Sequence, residues 1–361
     1  LIEDNNLIKL IQADLKKVMK NLNDLSGVSG YEDEVASYVY QQANQYTNDL
    51  KIDNFGNVIT KIAGDKKKKI MITAHLDEIG LIIRYIDKNG FIYAEKIGGV
   101  RTQNLFSRPC FVKTRNGLIK GLINSINPGR PKEMKYIPEV NEFFIDVGVD
   151  SKAEVDNLGI EIGNTISIDY SFDIIGNKII GKALDDRLQV FILLETMKII
   201  KKYHKGRDIP TIYSVFTTQE EVGCRGAKVA AYSLDPDLAI ALDITVANDT
   251  PQIPEFERIS TLGKGPAIKV MDRIPNGVGM ISSSKIVEKL KSISKENNIK
   301  YQLEVFTAGS TDGATIHLER GGIPTGAILT PTRYVHAYEM AAIDDVITSI
   351  ELLYRFIESI D

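Results

Sequence analysis

Lys69-Ile70-Met71-Ile72-Thr73-Ala74-His75-Leu76-Asp77-Glu78 is the stretch on which the reading of the fold turns. Its apolar run has strand length and no helical spacing, so it predicts a buried strand that stops on a histidine followed by acids. The lysines at 66–69 read as a solvated turn entering that strand. Upstream, Leu7, Ile8, Leu10, Ile11, Leu15, Val18, Met19 and Leu22 recur at helical spacing until Gly27-Val28-Ser29-Gly30 stops the pattern, and a second helical pattern covers 32–46.

Downstream the texture changes. From about 80 to 173 the chain consists of short β-type runs broken by Lys88-Asn89-Gly90 and Arg115-Asn116-Gly117, both hairpin signals. Helical periodicity returns at 184–201 and 282–297, with strands expected at 211–217, 238–242 and 325–329. Strands and helices alternate on both sides of the β-rich stretch. The expected fold class is therefore α/β: a mixed sheet flanked by helices, formed by 1–79 and 177–361, with a small barrel-like β domain inserted at 80–176. A chain of 361 residues also favours two domains.

The composition, 43% hydrophobic and 25% charged, is that of an ordinary globular protein. A net charge of −4 gives no basic field for nucleic acid or an anionic membrane, which leaves small molecules or peptides as the expected partners. Cys110 and Cys224 lie far apart without CxxC spacing and read as buried free thiols of a reducing compartment. Leu1-Ile2-Glu3-Asp4 has no basic start and no apolar run reaches bilayer length, so a cytoplasmic location is expected.

In open α/β sheets ligands bind beyond the carboxyl ends of the strands, and the residues ending each expected strand are of one kind. The first ends in His75-Leu76-Asp77-Glu78, the second in Gln219-Glu220-Glu221, the third in Asp243, and the last runs into Arg333-Tyr334-Val335-His336; Asp185-Asp186-Arg187 opens the long helix. Imidazoles mixed with carboxylates, without thiolate, suit divalent ions such as zinc or cobalt. Two ions bridged by a carboxylate can hold a hydroxide and polarise a carbonyl, while a spare carboxylate moves the proton. Neighbouring side chains diverge, so Glu220-Glu221 offers both roles. Each residue also has a plainer reading. Asp185 and Asp186 could cap their helix, Asp77 could be a turn acid or an orienting partner for His75, and Glu78 could face solvent or the site. Arg187 could be a surface cation or a partner for the aspartate before it. His204 and His317 fall outside the expected site.

These residues carry a resemblance. Leu25–Gly30, His75–Gly80, Lys182–Arg187, Thr218–Ala227, Pro236–Asp243, Gly263–Pro266, Thr307–Asp312 and Pro331–His336, in this order and spread over the whole chain, resemble the tetrahedral aminopeptidases, a metallopeptidase family that includes glutamyl aminopeptidases and proteins once labelled cellulases. The resemblance implies an enzyme that releases N-terminal residues from peptides through a water bridged by two divalent ions: zinc or cobalt, with manganese as a third candidate. It makes Asp185 the bridging ligand, His75 and Asp243 the ligands of one ion, Glu221 and His336 those of the other, Glu220 the general base, and Asp77 the residue behind His75. It also implies dimerisation through the insert and a dodecameric hollow tetrahedron. Ser310 and Gly313 stand where the family pattern has glycine and alanine, and the chain after His336 is compressed before Glu339.

Other classes fit less well. A carboxypeptidase or N-acyl amino-acid hydrolase needs a cation for a substrate carboxylate, for which Arg333 is the candidate near a ligand. A glycosidase needs paired carboxylates and no histidine ligands. A non-catalytic scaffold should show degraded ligands, and none is degraded.

Overall fold

The structure is a computed structural model and describes residues 5–125, 136–274 and 278–361; Leu1–Asp4, read above for a leader, lie outside the described residues. An eleven-stranded mixed sheet carries the molecule. Its centre is four parallel strands in the order Thr211–Thr217, Lys69–His75, Leu238–Val246, Thr325–Arg333. All nine residues of Leu238–Val246 except the last are buried, as expected for a parallel strand covered on both faces. Asp49–Ile52 and Val58–Ile62 extend one side, and Glu339–Ala342, Lys178–Gly181 and Asp173–Ile175 the other.

Two expected strands are longer than their apolar runs. Leu238–Val246 and Thr325–Arg333 pair with each other as far as Val246 and Thr332, so Asp243 sits inside a strand, opposite Leu329, and not at its end. The ladder continues because Thr245, Thr330 and Thr332 are buried hydroxyl residues that a β-pleat accommodates without an apolar side chain. Helices Asn5–Asp24, Leu184–Tyr203 and Ile343–Glu358 pack together against the sheet. Leu15, Met19, Leu22, Leu188, Phe191, Leu353 and Phe356 form the centre of this core and are almost fully buried. The lysine block at 66–69 is not wholly solvated, since Lys66 Nζ donates to the carbonyls of Glu358 at 3.0 Å and Ile360 at 2.6 Å and so closes the C-terminal end of the last helix.

The β-rich stretch closes into a six-stranded antiparallel barrel in the order Gly80–Ile86, Ile92–Ile97, Phe143–Asp146, Gly117–Ser125, Arg108–Thr114, Thr165–Ile168. It has its own core, with Val112, Ile123 and Ile166 fully buried. Gly90 and Gly117, at φ +90° and +118°, sit in the two hairpin turns anticipated from the sequence. The barrel begins five residues after His75, which sets its first strand against the carboxyl edge of the sheet.

Candidate active site

That edge gathers the acids and histidines. His75 ends its strand fully buried; its Nε2 lies 3.0 Å from Asp185 Oδ1 and 4.0 Å from Glu220 Oε2. His336 Nε2 lies 3.3 Å from the other oxygen of Asp185 and 3.2 Å from Glu221 Oε1. Asp185 thus stands between the two imidazoles. His75, Asp185, Asp186 and Asp243 form one group able to surround an ion, and Asp185, Glu221 and His336 form a second that shares Asp185.

The backbone explains how Asp185 reaches this place. Asp185 and Asp186 fall within the first turn of Leu184–Tyr203, yet their φ/ψ values, −78°/97° and −122°/23°, are not helical, and the peptide between them is cis. The residue at the N-cap is Ala183, which has no side-chain acceptor to cap with. Asp186 Oδ2 accepts the His75 backbone N–H at 3.0 Å, and Gln189 Nε2 donates to the Asp243 carbonyl, so the long helix holds the end of one strand and the middle of its neighbour directly.

Both imidazole rings have a fixed orientation. His75 Nδ1 lies 3.2 Å from the Asp77 carbonyl and His336 Nδ1 lies 3.1 Å from the Gly99 carbonyl. A carbonyl only accepts, so each Nδ1 is the donor and each Nε2 faces the carboxylates, the arrangement in which imidazole serves as a metal ligand. Gly99 permits this approach: a Cβ there would stand 2.5 Å from His336 Nδ1. The barrel thereby supports one side of the site. His336 itself sits at φ +64°, a left-handed conformation uncommon for a side-chain-bearing residue.

Asp77 is fully buried beneath the Glu220-Glu221 doublet. It accepts the N–H of Glu220 at 2.9 Å and of Glu221 at 3.1 Å, together with the Ser29 hydroxyl at 2.6 Å, and its Oδ1 lies 3.4 Å from His75 Nδ1. One carboxylate therefore sets both the doublet and the ring.

The electrostatics are those of a crowded acid cluster. Burial, then repulsion from Asp243, Glu221 and Asp312, pushes Glu220 well above the usual carboxyl range; burial and Asp185 do the same to Asp243, and burial and Asp243 to Asp186. Burial opposes charge on the histidines but is outweighed: by Asp185, Asp186 and Asp77 at His75, and by Glu221 and Asp185 at His336, which is pushed up to about 12. Asp185 is held below its ordinary range, burial being outweighed by His336 and His75. Such a set holds protons on nitrogens and carboxylates where a divalent cation would displace them, and the nitrogen and oxygen donors suit zinc, cobalt or manganese. The orphaned buried oxygen Asp186 Oδ1 fits the same reading.

Three residues here had no site role assigned from the sequence. Asp186 belongs to the Asp185-Asp186-Arg187 cluster quoted above, with a helix cap as its plainer reading and no ligand role of its own. Glu339 Oε2 accepts the Asp185 N–H at 2.9 Å and Oε1 the His336 N–H at 2.8 Å, which ties the central carboxylate to the His336 loop; burial and Asp185 raise its pKa to about 8. Cys224 is buried as expected, but its thiol also donates to Glu220 Oε1 at 3.1 Å. Arg187 is neither of its two anticipated forms: fully buried, it donates to the carbonyls of Leu76 at 2.8 Å and Leu22 at 2.6 Å. Glu78 is buried with Lys182, whose Nζ lies 2.7 Å away. Arg333 is engaged by Asp249 through Nε at 2.8 Å and Nη2 at 2.7 Å, which removes it as a free carboxylate receptor. His204 and His317 lie elsewhere, on Tyr354 and on the Gly313 carbonyl.

A family model for the M42 glutamyl aminopeptidases matches residues 56–352, a span that takes in every histidine and carboxylate of the site. The chain belongs to that family. It is accordingly an aminopeptidase, a hydrolase of the metallopeptidase class. It is 31% identical to the lysyl aminopeptidase of Pyrococcus furiosus, over 95% of this chain and 97% of that one. Among solved structures it resembles the aminopeptidase APDkam598 of the archaeon Desulfurococcus kamchatkensis, at 38% identity and a TM-score of 0.92, covering 97% of this chain and 96% of that chain. It also resembles the TET1 peptidase of Pyrococcus horikoshii, described as assembling into a tetrahedron or a large octahedral shell, at 28% identity and a TM-score of 0.84 over 97% and 100% of the two chains. No helix among the described residues is long and apolar enough to cross a membrane.

Proposed function

We propose that this M42 enzyme releases single N-terminal residues from peptides with the help of two divalent ions held at the sheet edge and bridged by Asp185. The observation that carries the reading is the sharing of Asp185 between the His75 and His336 groups. His75 and Asp243 would hold one ion, Glu221 and His336 the other, with zinc or cobalt the best match to these donors and manganese next. Once bound, the ions supply Lewis acidity toward the scissile carbonyl and lower the pKa of the attacking water.

The protein's own groups do the rest. Glu220 stands 4.0 Å from His75, with a thiol as the hydrogen-bond donor to its carboxylate, and its raised pKa matches a group that takes a proton from water and passes it to the leaving amine. Asp77 fixes where Glu220 and Glu221 point by holding their backbone amides. The engagement of Arg333 by Asp249 weighs against a carboxypeptidase or N-acyl amino-acid hydrolase.

The test is hydrolysis of free, N-acetylated and C-amidated peptides by apo protein reloaded separately with zinc, cobalt and manganese. Metal-dependent release from free and C-amidated peptides, and none from N-acetylated ones, is expected. Glu220→Gln should keep its metal and lose about 10²–10⁴-fold in kcat. Turnover of acetylated peptides, or wild-type rates in that variant, would refute the reading.

A further inference from the structure

Beside the carboxylate cluster opens a cavity of about 650 Å³. Its lining takes in the site itself, with Asp185, Glu220, Glu221, Asp243 and His336, together with Lys269, Ile274, Val278 and Phe306. A first side chain that enters this cavity from the cluster meets Lys269, Ile274, Val278 and Phe306, whose chemistry then bears on which N-terminal residue is accepted.

Lys269 is the only buried cation among the described residues lining this cavity, and it is not available to a substrate carboxylate. It is 2% exposed, and its Nζ pairs closely with Glu304, which is 1% exposed. Asp272, 2% exposed, stands 4.0 Å from the same nitrogen. Nζ also lies 5.5 Å from the Phe306 ring centroid, so the face of the ring contacts the compensated ammonium. Arg101, the other cation on the lining, is exposed near Gly99, where its charge is screened by solvent.

A carboxylate brought to Lys269 would be the third acid against one ammonium, in a place where unpaired charge is costly to bury. A second ammonium would find Glu304 already taken by Lys269 and Asp272 already accepting the Met280 N–H, and so would be buried without a partner of its own. An uncharged side chain meets Ile274, Val278 and the Phe306 ring. We propose that Glu304, by consuming the charge of Lys269, sets the first subsite of this enzyme for large uncharged N-terminal residues such as leucine or methionine and excludes glutamate. The proposal rests on the aminopeptidase reading of the same site. Glu304 acts through Lys269 and is a specificity-setting residue, not a catalytic one.

The experiment is kcat/KM for Leu-, Met-, Glu- and Lys-initiated peptides of otherwise identical sequence, with wild-type metal-loaded enzyme and two variants. Wild type should favour Leu and Met over both charged residues. Glu304→Gln frees the ammonium and should raise the Glu-to-Leu ratio of kcat/KM by about tenfold or more; a purely structural role would lower both rates and leave the ratio alone. If that variant does not fold, the double variant Lys269→Met, Glu304→Leu replaces the pair by apolar groups and should keep the ratio at or below the wild-type value. Wild-type preference for Glu or Lys, an unmoved ratio in Glu304→Gln, or a shift toward Glu in the double variant overturns the proposal while leaving the aminopeptidase reading intact. Absence of N-terminal release from every peptide overturns both.

Discussion

Two buried charge clusters lie within a few residues of each other along the same strand end, and they are built on opposite plans. In the first, Glu78 is met by Lys182 at 2.7 Å, by Arg187 at 3.5 Å and by the Gly27 N–H at 2.9 Å, so one carboxylate faces two cations and a backbone donor. In the second, His75 and His336 face Asp185, Asp186, Glu220, Glu221 and Asp243. The first cluster is satisfied by the chain alone. The second is in excess of acid: five carboxylates face two imidazoles, and beyond burial Asp186, Glu220 and Asp243 are raised by their acidic neighbours more than His75 lowers them. A balanced cluster holds the fold; an unbalanced one is a receptor for charge that arrives from outside.

Removing one charged group should therefore have opposite effects on stability in the two places, and Asp243→Asn gives the largest effect. In the acid-rich cluster this variant removes a ligand and a repelling charge together. Peptide hydrolysis should fall by at least about 10³-fold, on the order of 4 kcal/mol of transition-state stabilisation, and metal content by elemental analysis should fall with it. The chelator-treated variant should nonetheless melt higher than chelator-treated wild type, because burial and Asp185 already disfavour the Asp243 anion. A lower melting temperature for the metal-free variant would break the comparison.

In the balanced cluster, Lys182→Met strands Glu78. Truncating one partner of a buried pair costs about 3–5 kcal/mol, and since Arg187 remains nearby the lower end is expected. Urea unfolding would measure it, and the double variant Lys182→Met, Glu78→Gln should recover part of the loss. The metal-to-protein ratio should stay that of wild type, which separates a structural loss from a ligand loss.

How much of this was legible in the sequence depends on which residues carry regular patterns. The strand 69–74 and the helix 184–201 were legible because apolar spacing reports burial directly. The continuation of Leu238–Val246 and Thr325–Arg333 was not, since buried threonines look polar in a pattern. The hairpin turns at Gly90 and Gly117 were marked by Asn-Gly, whereas closure of six strands into a barrel depends on long-range pairing such as Leu81 with Ile166 and leaves no local mark. At the site, the strand-end rule brought out His75, Asp77, Glu220, Glu221, Asp243 and His336. Asp186 was hidden because acids at a helix start have a sufficient local explanation. Glu339 was hidden because its work is to accept two backbone N–H groups from segments 154 and 3 residues away. Its one available signal was the shortened spacing after His336.

A third cluster lies between these extremes and gives the smallest effect. Glu195, nearly buried on the long helix, meets Lys198 at 3.2 Å, and Lys198 in turn pairs with Asp14 of the first helix. Two acids share one partly exposed ammonium, so the balance is slightly acid-rich. Burial, only partly offset by Lys198, raises Glu195 to about 7 from 4.5. The folded state then binds more protons than the unfolded one between about pH 4.5 and 7, and stability falls as pH rises through that window. The full shift corresponds to an upper bound of about 3 kcal/mol, of which solvent around Lys198 leaves a part. Lys198 is itself raised above 10.5, so its own contribution is lost only at more alkaline pH and does not enter the window. Glu195→Gln should remove the slope: the melting temperature of the variant minus that of wild type, measured from pH 5 to pH 8 with metal held constant, should rise steadily. The gain expected here has the sign of the metal-free Asp243→Asn variant and not of Lys182→Met, because in each case the sign follows whether acids or cations are in excess. A flat difference would mean that Lys198 compensates Glu195 fully and that this cluster belongs with the balanced one.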